Sequence, residues 1–119
     1  MLNFLKNRIK SFGFAFKGIL HLLSSEPNSK VHLVAAITIT VVGFMVKLSA
    51  TEWILQTLAI ALVISMEAIN TAVEKLCDFV HPEQHKKIGI IKDLAAGAVL
   101  VTAIAAIIIG AIIYLPKFL

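Results

Sequence analysis

The run Glu67-Ala68-Ile69-Asn70-Thr71-Ala72-Val73-Glu74-Lys75-Leu76-Cys77-Asp78 sets three acids and an amide at the end of a segment apolar enough to lie in a lipid bilayer. Counted from Glu67, Asn70, Thr71, Glu74 and Asp78 follow at three, four, seven and eleven residues, which lines them along one face of an α-helix. A carboxylate at bilayer depth costs about 2.5 kcal/mol or more, so a chain that keeps one uses it for ions, protons or chemistry. Glu26, just before the first apolar span, and Glu74, at the end of the second, reach the same membrane face. Two carboxylates without a Cys or His cage suit a hard divalent cation such as Mg²⁺, which keeps several waters and completes its shell with phosphate oxygens. That chemistry points to a nucleoside triphosphate.

Lys10, Lys17, Lys86, Lys87 and Lys92 supply positive charge for the phosphates. Glu67 sits deeper, where a lipid alcohol would reach, and can take the hydroxyl proton as general base, with Asn70 one turn later to orient it or the hydroxyl. The residues therefore admit phosphoryl transfer to a membrane-embedded alcohol, catalysed by positioning and electrostatics. Other readings stay open. Glu67 could pair with Lys75 or a helix terminus for assembly alone, Glu26 could be a solvated turn residue or a helix cap, Lys92 and Asp93 could form a surface pair, and His81 and His85 could be solvated. A small ion- or proton-conducting protein would use Glu67 as a relay, but its acid must be reachable from both sides. Glu67, Glu74 and Asp78 all approach one face, and the outer half of the second span is apolar apart from Gln56 and Thr57. A scaffold role leaves the acids and Lys92-Asp93 without a purpose. With no Gly-rich phosphate loop, a soluble-type nucleotide fold is excluded.

The elements that must position these residues follow from composition and hydropathy. The chain has 119 residues, 59% hydrophobic and only 15% charged, where soluble domains carry roughly a quarter charged. It reads as an all-α membrane protein of one domain. So short a chain cannot surround a polar site on all sides, which favours self-association. The single cysteine, Cys77, excludes an intrachain disulfide and a cysteine-rich metal site. The net charge of +4 is concentrated near the amino terminus beside apolar spans, which suits anionic lipid headgroups or a nucleotide better than nucleic acid.

Residues 1–24 mix basic and apolar side chains as an amphipathic helix lying on the membrane, and the absence of a small-residue cleavage site argues against a removed signal peptide. Ser24-Ser25-Glu26-Pro27-Asn28-Ser29 marks a break. Span 1 is predicted over 31–47, span 2 over 53–74 from the interfacial Trp53, and span 3 over 94–115. Pro82 ends the second long helix, and the polar stretch 75–93 reads as a long loop. Ala95, Ala98, Thr102, Ala105, Ala106 and Gly110 make a stripe that lets helices approach closely. The basic amino-terminal segment and the polar 75–93 stretch place both on the cytoplasmic side.

These residues resemble the small prokaryotic diacylglycerol kinase family, which includes undecaprenol kinases, from about Phe12 to Ile113. The family signature Glu-x-x-Asn-[Ser/Thr]-Ala-[Ile/Val]-Glu stands as Glu67 to Glu74, and a later Lys-Asp pair as Lys92-Asp93. The resemblance implies a homotrimeric bundle of three-span subunits with surface helices, in the bacterial inner (cytoplasmic) membrane, with sites facing the cytoplasm. It implies Glu67 as catalytic base, Asn70 in support, and Glu26 and Glu74 holding Mg²⁺ that bridges to ATP. Glu83, Gln84, His85, Lys92 and Asp93 correspond to nucleotide-binding positions, and Phe14 and Lys17 to amino-terminal positions facing nucleotide or substrate. A family arginine near the start of the surface helix aligns with Asn7, so Arg8 or Lys10 would substitute. Glu26-Pro27-Asn28-Ser29-Lys30-Val31-His32 is similar to the undecaprenol kinase form, which implies Asn28 and Lys30, with Glu67, on the lipid substrate. Lys30 departs from the commoner arginine. The acceptor implied is undecaprenol, with diacylglycerol the runner-up.

Overall fold

The computed structural model describes all residues, 1–119, as four helices: α1 (Leu2–Ser25), α2 (Pro27–Met45), α3 (Ala50–Val80) and α4 (Lys86–Phe118). The break between α1 and α2 is one residue wide. Glu26 is extended (φ −98°, ψ 117°) and Pro27 opens α2, where the missing proline N–H costs no helical hydrogen bond. Proline also disfavours a helical conformation in the residue before it, so α1 must stop at Ser25. Almost every side chain of α1 is exposed, with only Leu22 buried, as suits a helix lying on a membrane.

The α2–α3 turn is built with more care. Lys47 takes a left-handed conformation (φ 56°), and the Leu48 N–H reaches back to the Gly43 carbonyl at 3.1 Å, closing the end of α2. Ser49 and Glu52 then form a reciprocal capping box. The Glu52 N–H donates to Ser49 Oγ at 3.2 Å, and the Ser49 N–H donates to Glu52 Oε1 at 2.9 Å. Lys117 Nζ sits 3.2 Å from Glu52 Oε2, tying the end of α4 to the start of α3. Beneath this turn Leu48, Ile113 and Tyr114 form a buried cluster, with Val42 and Trp53 against it. Gly43 makes this fit possible, because a Cβ there would lie 2.9 Å from both Leu48 Cδ1 and Trp53 Cη2.

Three helices, α2, α3 and α4, are long and apolar enough to cross a membrane. At 1.5 Å per residue, α3 and α4 are each about 46 to 50 Å long, well over the roughly 30 Å of a hydrocarbon core. Their polar ends therefore stand in the aqueous phase while still helical. This corrects the long loop expected over 75–93: Lys75 to Val80 complete α3, Lys86 to Asp93 begin α4, and only residues 81–85 connect them. Polar composition alone cannot separate a loop from a helix that has left the bilayer. Pro82 does stand just past the α3 terminus, after His81 at the cap.

The main packing is α3 against α4, with α2 and α1 resting more lightly on α3. Only 11 of 119 residues are buried, so the chain leaves most of its apolar surface to lipid or to other protein.

Candidate active site

The chemistry-bearing residues lie along α3 and the helix ends around it. Glu67 is 5% exposed. Its burial follows from its register: Gln56, Ala59, Val63 and Glu67 recur at three- and four-residue intervals, and all are buried on the same face. Both of its oxygens are engaged by the first turns of α2. Ser29 Oγ donates to Glu67 Oε2 at 2.9 Å, and His32 Nδ1 closes on Oε1 within ion-pair reach. Ser29 is itself buried. His32 Nδ1 is also buried, and its approach to Oε1 is a close ion-pair contact without aligned hydrogen-bond geometry.

Asn70 and Glu74 follow on the same helix. Asn70 Nδ2 donates to Glu74 Oε1 at 3.2 Å, an i to i+4 bond that fixes both side chains. Asn70 Oδ1 remains buried without a partner, an acceptor held open inside the site. Glu26 caps α2 only through its backbone, and its carboxylate makes no hydrogen bond to the helix terminus. Two carboxylates and an amide oxygen are hard oxygen donors, the set that suits Mg²⁺. No three His, Cys, Asp or Glu side chains of the chain converge on a metal position. Glu26, Asn70 and Glu74 have the donor chemistry of a Mg²⁺ whose shell is completed by phosphate oxygens.

The connection between α3 and α4 forms a second feature. Glu83, Gln84, His85 and Lys92 line one concave surface of about 480 Å³, together with Pro82 and Gly89. His81 Nδ1 lies 2.8 Å from the Glu83 carbonyl, and His85 accepts from the Lys87 N–H at 3.1 Å, capping α4. These bonds give a five-residue connection a defined shape. Lys92 Nζ reaches Asp78 Oδ1 at 2.6 Å, so α3 and α4 are clamped across the loop. Lys92 pairs across helices here and not with its neighbour Asp93, which is exposed and does not line the concave surface.

The remaining positions stand apart. Phe14 and Lys17 are exposed on α1 and contact each other, with the Lys17 ammonium 5.8 Å from the Phe14 ring centre. Asn28 and Lys30 are exposed in the first turn of α2, beside the buried Ser29. Glu67 pairs not with Lys75 but with two side chains near the amino-terminal end of α2. Sequence reasoning gave no role to Ser29 or His32. Their i, i+3 spacing puts both on one face of α2, but nothing in the sequence ties that face to Glu67.

From His32 an apolar groove of about 420 Å³ extends between α2, α3 and α4 to Gln56 and Tyr114. Tyr114 Oη lies 3.1 Å from the Ile39 carbonyl and 2.5 Å from Gln56 Oε1, binding the three helices at that end.

Residues 13–114 match the family model described as prokaryotic diacylglycerol kinase. Over 115 residues the chain is 40% identical to the undecaprenol kinase of Bacillus subtilis, covering 97% of this chain and 94% of that protein. It is 33% identical over 114 residues to a diacylglycerol kinase of Synechocystis, covering 95% of this chain and 65% of the relative. A diacylglycerol kinase of Escherichia coli is 28% identical over 110 residues, covering 92% and 90%.

Proposed function

Because the chain belongs to the prokaryotic diacylglycerol kinase family, it is a phosphotransferase acting on a lipid alcohol with ATP as donor, and we propose that its acceptor is undecaprenol. The carrying observation is a buried carboxylate, Glu67, two helical turns or about 10 Å along α3 from the partly exposed Glu74. A base in the apolar layer and an acid at its edge suit a reaction whose acceptor comes from the bilayer and whose donor comes from water. The higher identity to an undecaprenol kinase than to the diacylglycerol kinases favours the prenyl acceptor.

In this reading the lipid hydroxyl gives its proton to Glu67 as its oxygen attacks the γ-phosphorus. The bond from that phosphorus to the β–γ bridging oxygen breaks, leaving ADP and the phosphorylated lipid. Glu26 and Glu74 would hold Mg²⁺, which when bound neutralises phosphate charge. Asn70 keeps the Glu74 carboxylate in place. Glu83, Gln84, His85, Lys92 and Asp93 receive the nucleotide, and Phe14 and Lys17 approach it from the surface helix. Asn28 and Lys30 flank the lipid headgroup, and the groove below His32 gives the hydrocarbon chain an apolar path. The open, largely exposed subunit supports assembly as a homotrimer. The basic amino-terminal segment supports insertion in the bacterial inner membrane with the site facing the cytoplasm.

Purified protein in mild detergent, given ATP, Mg²⁺ and either undecaprenol or diacylglycerol, tests the proposal, with Glu67→Gln as control. Faster transfer of labelled phosphate to undecaprenol supports it. Faster transfer to diacylglycerol reverses the acceptor, and transfer to neither overturns the reading.

A further inference from the structure

We propose that His32 is a positioning residue for Glu67, holding one carboxylate oxygen through its Nδ1–H while Ser29 holds the other. The inference rests on the general-base role proposed for Glu67. A buried glutamate with three free torsions would sample many orientations, and in apolar surroundings its unpaired oxygens would each forfeit the hydrogen bonds that water supplies. Here Ser29 Oγ meets Oε2 at 2.9 Å and His32 Nδ1 meets Oε1, one holder for each oxygen. Both holders come from one rigid source. Ser29 and His32 are three residues apart on α2, and the helix start beside them is set by Pro27.

The holding role also requires one tautomer. His32 Nδ1 is buried, and a carboxylate oxygen of Glu67 lies within ion-pair reach of it. A bare nitrogen lone pair set against a carboxylate is repulsive, so the proposed holding role requires the hydrogen on Nδ1. A carboxylate oxygen has two lone pairs. With one on each oxygen spent on a holder, the others remain to accept the lipid hydroxyl proton from a carboxylate plane already fixed. Misplacing a reacting group by about 1 Å can cost on the order of 10²-fold in rate, so the holder acts on turnover more than on binding.

The test compares His32→Leu, His32→Asn and His32→Gln in the full-length detergent-purified protein, measuring kcat and KM for ATP and for the lipid acceptor. Asparagine sets its amide nitrogen near the place of Nδ1, whereas glutamine sets it near that of Nε2. His32→Leu and His32→Gln should lose about 10- to 100-fold in kcat with both KM values within about twofold. His32→Asn should keep kcat within about threefold of the unaltered protein, because the donor at the Nδ1 position is restored. Equal loss in the asparagine and glutamine variants overturns the inference, and so does a loss confined to KM. That pair decides the matter even if His32→Leu fails to assemble. Full turnover of His32→Leu beside an inactive Glu67→Gln overturns this inference alone, whereas an active Glu67→Gln removes the base on which it depends.

Discussion

Glu67 of α3 and His32 of α2 meet side chain to side chain inside the bundle, so the carboxylate proposed as base is also a contact between two helices. Removing its charge while keeping its shape should separate these duties. Glu67→Gln should lose about 10²- to 10⁴-fold in turnover, the usual range for a general base. Nucleotide affinity, followed by fluorescence of a labelled ATP analogue, should stay within a few-fold. Retained turnover would assign the base elsewhere.

Glu26 and Glu74 are the two carboxylates proposed to hold the metal, and no group of three acids, histidines or cysteines in the chain forms a protein-only cage. The metal should therefore bind weakly without nucleotide. Chelation should abolish transfer, and added Mg²⁺ should restore it. Glu26→Gln or Glu74→Gln should raise the Mg²⁺ concentration for half-maximal rate by about tenfold or more, as expected for losing one of two charged ligands. Rates titrated against Mg²⁺ at saturating lipid check this, and unchanged titrations would release both acids from the role.

The Lys92 to Asp78 clamp spans the 81–85 connection at 2.6 Å, yet both side chains are substantially solvent-exposed. Exposed pairs contribute little to folding. Lys92→Ala should leave the thermal midpoint nearly unchanged and raise the KM for ATP, since the lysine lines the same concave surface as Glu83, Gln84 and His85. Asp78→Asn should show a smaller effect of the same kind. A collapse in thermal stability with normal ATP kinetics would reverse this reading.

Gly43 is the opposite case, structural and remote from the site. Gly43→Val drives new atoms into Leu48, the Trp53 ring and the Tyr114 hydroxyl, which already lie 2.9 to 3.2 Å from where a Cβ would stand. Over-packing of this kind costs about 1 to 3 kcal/mol. Thermal or denaturant unfolding in detergent should show that loss, while the KM for ATP stays normal. Unaltered stability would mean that the turn repacks freely.

Much of this architecture was legible residue by residue. Pro27 after Glu26 announced the corner between α1 and α2, Pro82 the end of α3, and the spacing from Glu67 to Glu74 the shared face of the acids. Local chemistry speaks clearly there. The 75–93 segment was harder, since Lys75, Asp78, Lys86 and Lys92 are as polar on an emergent helix as in a loop. The partners of Glu67 were hardest, because Ser29 stands 38 residues away and no periodicity within α3 points to it. The left-handed Lys47 was likewise invisible, as glycine is the residue that usually marks such a turn.

Because α3 runs well past the thickness of a hydrocarbon layer, the depth of Glu67 is set by where the bilayer grips that helix. Thinner or thicker lipid would slide the boundary along α3, bringing water nearer to the buried acid or drawing Glu74 toward oil. The acyl length of the surrounding membrane thereby becomes a setting of the reaction itself, and turnover in vesicles graded by chain length should pass through a maximum.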